Sequence, residues 1–339
     1  MNPTLDVHAH VVISAADAVL ADEPGFIRQR AEDARGAGVT SAAVNREQIV
    51  ALTPALTDPL ARLSRMDASG IDIQLVSPMP MHHYWADRAV ADRFGQLTNE
   101  GVLAHCAAAP DRLIGLGTVP LQHPDLAVAL LTRAMANGLR GVEVSTDVAG
   151  RGLADPLLEP FWSRAEQLGA VVFIHPWGCT LGERLATAYL SNIIGQPMET
   201  TIALSHLIFS GLLDRHPGLR ILAAHGGGYL PYYLGRGDHA WHARPDSHTC
   251  CDEPSSYLPR LWFDSLVYTP DGLRALVSAV GAERVLIGTD YPFDMGVEDP
   301  LDRLAAAALD ATSEAAIRSG NGTALLGPLP APAHLEVTA

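Results

Sequence analysis

The sequence predicts an α/β protein of the closed (β/α)₈ TIM-barrel class, with an insertion after strand 1. Three observations predict it. Short, apolar, β-branched segments alternate with Ala- and Leu-rich helical stretches, the pattern of a parallel sheet. Eight such segments can be read, at residues 4–10, 71–77, 113–120, 141–146, 170–176, 220–226, 261–268 and 284–292, which suits the size of a closed barrel. Many are apolar nearly throughout, as strands covered on both faces are. An open, doubly wound sheet is the alternative, disfavoured because no GxGxxG follows the first segment.

The elements follow in order. Residues 4–10 open a strand almost at once, with no basic region and apolar stretch ahead of it. A secretory signal is therefore not expected, and a cytoplasmic location is. Residues 11–63 are too long for a simple βα connection. They read as an insertion of loop and short helices over the barrel mouth, where long structured loops are usually functional. Helical patterns cover residues 89–109 and 125–137. Another, at 155–168, opens on Asp155 as N-cap with Pro156 at the first helical position. An apolar helical stretch at 202–213 follows the fifth strand. The chain thus reads as one domain over residues 1–326, with a Pro- and Ala-rich tail at 327–339. No internal repeat is visible.

Composition narrows the function. Of the 339 residues, 48% are hydrophobic, enough for a substantial core. No apolar run reaches the roughly 18 residues that span a bilayer. The net charge of −15 has no offsetting basic stripe, which disfavours nucleic acid and reads as solubility. An anionic substrate would then need locally placed arginines. The cysteines, Cys106, Cys179, Cys250 and Cys251, show no CxxC spacing and are expected as reduced thiols. All 23 basic residues are arginine. The absence of lysine excludes a Schiff-base lysine, a P-loop lysine and a carbamylated lysine bridging two metals.

The chemistry begins at Asp6-Val7-His8-Ala9-His10. Residues two apart on a strand share a face, so His8 and His10 project together at the end where barrel active sites lie. Asp6, one step deeper, is expected on the same face, orienting a ligand. His175, His225 and Asp290 each end a later strand. One histidine at a strand end is more often structural than ligating. Four strands delivering His or Asp to one rim is a convergence that chance placement seldom produces. His8, His10, His175 and Asp290 supply three imidazoles and a carboxylate for one divalent ion with an open position, where bound water has a lowered pKa. Zinc fits such ligands best, while iron, manganese and cobalt stay open. His225 is left as the acid/base beside the metal.

These residues resemble the amidohydrolase superfamily, in its aminocarboxymuconate-semialdehyde decarboxylase-like branch. The resemblance rests on DVHAH (residues 6–10), MDASGID (66–72), VPLQ (119–122), HPW (175–177), QPMETT (196–201), HGGG (225–228), LGR (234–236) and GTDYPF (288–293). It implies a mononuclear site with His8, His10, His175 and Asp290 as ligands and His225 as the catalytic histidine. It also implies two arginines that bind a substrate carboxylate. Arg46, in the insertion, and Arg236 match them, and Trp177 of HPW joins the substrate site. In the family the second arginine comes from a neighbouring subunit, which implies a homodimer with Arg236 crossing the interface. The chain departs from the family pattern at Gly178 and Cys179, and again at His82 and His83. Pocket lining with an altered substrate and ordinary loop variation both explain these positions.

The function expected is metal-dependent, non-oxidative decarboxylation of a small unsaturated or aromatic carboxylic acid. Two readings remain beside it. The same site would serve a hydrolase of lactones or amides, or a hydratase. A barrel that only binds a ligand is the third, opposed by the complete set of ligands plus acid/base histidine.

Overall fold

The computed structural model describes residues 3–332. Among them, the parallel strands that form the barrel are Leu5–Val11, Ile73–Pro78, Leu113–Gly115 continued by Gly117–Thr118, Gly141–Val144, Val171–Ile174, Arg220–Ala223, Trp262–Asp264 and Val285–Leu286. Each pairs with the next in sequence. Strand eight returns to strand one through bridges from Ile287 to Asp6 and from Tyr291 to Ala9, so the sheet closes. The tail expected over residues 327–339 lies partly outside the described residues, from 333 onward.

Side-chain alternation builds two layers of core. Val171 and Phe173 join Leu75, Leu222 and Leu286 in one cluster, the barrel interior. Val172 and Ile174 join Val142, Ile221 and Phe263 in the larger cluster between the sheet and the helices. The helix Glu159–Leu168 shows how that outer layer forms: Phe161, Trp162 and Ala165 are buried on one side, and the Trp162 indole donates to the Leu153 carbonyl at 2.8 Å. Asp155 caps the turn before it through the Leu157 N–H, as its place in the sequence predicts.

Strand one departs from regular pairing. Its register against strand two slips between Asp6 and Ala9, the mark of a β-bulge. One extra residue turns Val7 and His8 toward the same side: Val7 belongs to the interior cluster, and His8 reaches the barrel mouth. Asp6 is therefore not on the face of His8 and His10, contrary to the strict two-residue alternation. Its carboxylate bonds instead to Gln74 and Thr289.

The insertion is almost entirely helical, with longer helices beside a short one where loop and short helices were expected. It comprises Ser14–Leu20, Pro24–Ala37, Val39–Thr57 and Pro59–Ser69, two of them 14 and 19 residues long. It straps the loops at the mouth. Gln29 accepts from Trp85 and His83 after strand two, Asp33 from Trp177 after strand five, and Gln48 donates to Asp294 after strand eight. Gly25 is needed for the first contact, since a Cβ there would sit 2.0 Å from the Trp85 ring. The apolar stretch at 202–213 divides into Gln196–Phe209 and Leu212–Arg215, broken where Gly211 takes a left-handed conformation. No helix among the described residues is long and apolar enough to cross a membrane.

Candidate metal centre

Four side chains from three strands meet at the C-terminal rim. His8 and His10 come from strand one beyond the bulge, His175 directly follows strand five, and Asp290 follows strand eight. All are buried, and one nitrogen or oxygen of each lies within 4.8 Å of the others. His8 Nε2 is 3.2 Å from His10 Nε2, and both are 3.3 Å from Asp290 Oδ1.

The opposite edges of the rings are tied down. His8 Nδ1 donates to Asp264 Oδ2 at 2.7 Å, His10 Nδ1 to the Pro78 carbonyl at 3.1 Å, and His175 Nδ1 to the Pro176 carbonyl at 2.9 Å. Each imidazole thus holds its proton outward and turns its Nε2 lone pair inward, the arrangement of a metal-ligating histidine. His175 Nε2 and Asp290 Oδ1 are buried and have no hydrogen-bond partner. A buried polar atom left so costs about 1–3 kcal/mol, which a cation at the centre would recover. Three nitrogens and one carboxylate oxygen fit a divalent ion with room for a further ligand.

Burial opposes charge on His8, but Asp290 and Asp264 outweigh it and lift its pKa to about 10. His175, buried and facing His10, His8 and His225, is pushed well below the ordinary imidazole value. Burial also works against the Asp290 carboxylate, yet the surrounding histidines hold it well below the usual range.

His225 stands at its edge, with Nε2 3.6 Å from Asp290 Oδ2. Its ring lies 5.2 Å from that of His8 and 5.0 Å from that of His175, and its Nδ1 is buried without a partner. It has a positive φ of 54°, as do the three glycines after it. Gly228 is compelled twice over: its φ is +66°, and a Cβ would meet the Pro197 carbonyl oxygen at 2.1 Å.

Two buried carboxylates at this rim escaped the sequence reading. Asp264, at the end of strand seven, accepts from His8 and from the backbone N–H groups of His225 and Gly226. Glu143, at strand four, lies 3.6 Å from His10 Nδ1 and 3.5 Å from His82 Nε2. Both of its oxygens lack a hydrogen-bond partner, and burial raises its pKa to about 7. The one available signal was a carboxylate inside an apolar strand segment.

The other expected residues are dispersed. Trp177 sits at the mouth, half-buried, its indole on Asp33. Arg46 is exposed on helix Val39–Thr57, and Arg236 is exposed in the first turn of helix Gly235–Ala243. His82 is buried, stacked on Tyr84, beside Glu143. His83 faces the insertion, 2.8 Å from Gln29 Oε1. Gly178 has φ +70°, and Cys179 packs where a Cβ on Gly195 would fall.

The family model described as amidohydrolase matches residues 5–327. This chain belongs to the amidohydrolase family. Within it, the chain falls in the aminocarboxymuconate-semialdehyde decarboxylase-like branch. It is 37% identical over 243 residues to the 2-amino-3-carboxymuconate-6-semialdehyde decarboxylase of Dictyostelium discoideum, covering 70% of this chain and 68% of that one. Among solved structures, this amidohydrolase superposes on a 2,6-dihydroxybenzoate decarboxylase complexed with 2,6-dihydroxybenzoate, with a TM-score of 0.81 and 25% identity over 97% of this chain and 100% of that one. A dihydroxybenzoic acid decarboxylase from Polaromonas sp. JS666, with bound manganese and the inhibitor 2-nitroresorcinol, shares the fold at a TM-score of 0.78 and 22% identity, covering 96% of this amidohydrolase and 97% of that chain.

Proposed function

We propose that this amidohydrolase is a metal-dependent, non-oxidative decarboxylase of a small unsaturated or aromatic carboxylic acid. The observation that carries the reading is the ring orientation: three imidazoles, each with Nδ1 engaged outward, aim Nε2 at a centre shared with Asp290. His8, His10, His175 and Asp290 would hold one divalent ion. Zinc is our first assignment on its preference for nitrogen-rich sites, and manganese, present in the Polaromonas structure, is the competitor. Bound there, the ion supplies Lewis-acid polarisation and acidifies a bound water.

The chain's own groups supply the rest. His225, at the edge of the cluster with its ring partly exposed, delivers a proton to the carbon that loses the carboxylate. The carbon–carboxylate bond breaks, its electron pair stays on that carbon, and the proton takes the vacated position as CO₂ leaves. Arg46 and Arg236 bind a substrate carboxylate by paired N–H contacts, and Trp177 lines the site. Arg236 faces solvent on its own subunit, next to exposed Tyr232 and Tyr233, which suits a homodimer in which it completes the neighbour's site. Residues 1–326 form the catalytic domain in this reading, with 11–63 as its cover and 327–339 as a tail. All four cysteines are free thiols, and a cytoplasmic location is part of this reading.

Metal-replete protein incubated with muconate-semialdehyde and hydroxybenzoate-type acids tests the reading, with CO₂ and ultraviolet absorbance followed together. CO₂ release supports it. Ring opening of a lactone, amide cleavage or water addition without CO₂ would assign the site to hydrolysis or hydration instead.

A further inference from the structure

Beneath the rim, on the outer side of strand one, lies a buried polar chain that takes no part in the mechanism above. Arg62, on helix Pro59–Ser69, is fully buried, as is Asp6, and Gln74 is 2% exposed. Arg62 Nη1 donates to Gln74 Oε1 at 2.6 Å, and Gln74 Nε2 donates to Asp6 Oδ2 at 2.8 Å. The neutral amide thus joins a buried cation to a buried anion. Arg62 also donates through Nη2 to the His10 carbonyl and through Nε to His105 Nε2 at 3.0 Å, and its guanidinium lies 4.9 Å from the Tyr291 ring centre. Asp6 accepts the backbone N–H groups of His8 and Thr289, both at 3.0 Å, and the Thr289 hydroxyl at 2.6 Å.

The two ends of this chain grip strand one at its bulge and just past it, one at the His8 N–H and the other at the His10 carbonyl. They also hold strand eight on either side of Asp290, through Thr289 and Tyr291. Stability alone is a weak reason for such a network, because burying ions costs several kcal/mol each and apolar replacements of similar volume are often as stable. A specific geometric task is the better reason. The bulge turns His8 and His10 together to the interior side that Leu5 and Val7 also face, and without it strict alternation from those residues would point both histidines away from the centre.

We propose that Asp6, Gln74 and Arg62 are positioning residues that hold the bulge of strand one and so aim His8, His10 and Asp290 at the metal. The inference rests on the reading of those residues as ligands. Substitutions beside a metal site that loosen its ligands lower metal affinity about 10- to 100-fold.

Cobalt(II) is the probe, since its visible spectrum reports ligand geometry and its titration gives affinity without any substrate. Arg62→Met and Gln74→Met should each weaken cobalt binding at least about tenfold and change the visible bands, and Arg62→Lys, which keeps the charge but only part of the fork of donors, should recover part of both. Trp162→Phe, in the outer core, should lower the thermal midpoint of the metal-free protein and leave cobalt binding unchanged. If Arg62→Met fails to fold by far-ultraviolet circular dichroism, Gln74→Met against Arg62→Lys carries the comparison. Unchanged affinity and spectrum in folded Gln74→Met or Arg62→Met would overturn the proposal while leaving the metal site standing. A native protein that does not bind cobalt would overturn both.

Discussion

Asp264 and His8 are 256 residues apart in sequence, yet their side chains meet at 2.7 Å inside the barrel, with no solvent exposure on either. The carboxylate oxygen that accepts from His8 Nδ1 also accepts the backbone N–H of His225 at 2.8 Å. One group therefore sets the tautomer of a proposed ligand and the position of the proposed proton donor. Asp264→Ala should lower metal affinity by about 10- to 100-fold, and Asp264→Asn by less, since an amide oxygen still accepts one bond. Equilibrium dialysis with metal analysis reads the change. Native affinity in Asp264→Ala would remove this carboxylate from the site.

His225 touches the ligand cluster without completing it. His225→Ala should keep a full equivalent of metal and lose turnover by about 10²- to 10⁴-fold, the range of general acid–base catalysis. Retained turnover would exclude His225 from proton transfer. Lost metal would make it a ligand.

Chelation tests the centre from the other side. Removing the ion should abolish activity and lower the thermal midpoint, because a ligand at 100 times its Kd stabilises the native state by about 2.7 kcal/mol. Zinc, manganese and cobalt added back in turn should restore activity to different extents and so rank the metals. Activity indifferent to chelation would leave the proposed mechanism without its electrophile.

Exposure of Arg236 on its own subunit makes the dimer testable by mixing. Arg236→Ala and His225→Ala should each be nearly inactive alone. Refolded together, they should regain up to about a quarter of native activity, since one site per mixed dimer carries both native residues and half of the dimers are mixed. No recovery, with mixed dimers shown to form, would place Arg236 in its own subunit's site or in none.

Acid should destabilise the fold well above the range of carboxylate titration. Burial lowers the pKa of His82 to about 3, with His83 and His10 adding to the effect, and that of His83 to about 4. Burial and Arg62 lower that of His105 to about 4. The unfolded chain takes up protons on these groups near pH ~6.5, where the folded chain does not, so their contribution to stability is complete above that pH and falls toward pH 4. Glu143, raised by burial to about 7, works in the opposite sense, and three imidazoles outweigh one carboxyl. Urea midpoints of metal-loaded protein at pH 7.5 and pH 5 measure the slope. His83→Asn, which suits the positive φ of 52° there, should flatten it.

The sequence by itself determined the strand order and the chemistry at the strand ends. Strands buried on both faces leave short apolar runs, and His or Asp closing such a run stands out against them. His8, His10, His175 and Asp290 were therefore legible as a group, and the structure brings them within 4.8 Å of one another. Tertiary structure decided what depends on neighbouring strands. The bulge at Val7 and His8 arises where strand one pairs with strands two and eight at once, and nothing in DVHAH marks the slipped register that turns Asp6 away. Asp264 gained its partner only through barrel closure, which sets strand seven across from strand one. The long helix Val39–Thr57 was illegible for a different reason. Val39, Val44, Ile49 and Val50 are all exposed on it, so it has no apolar stripe for a periodic reading to find.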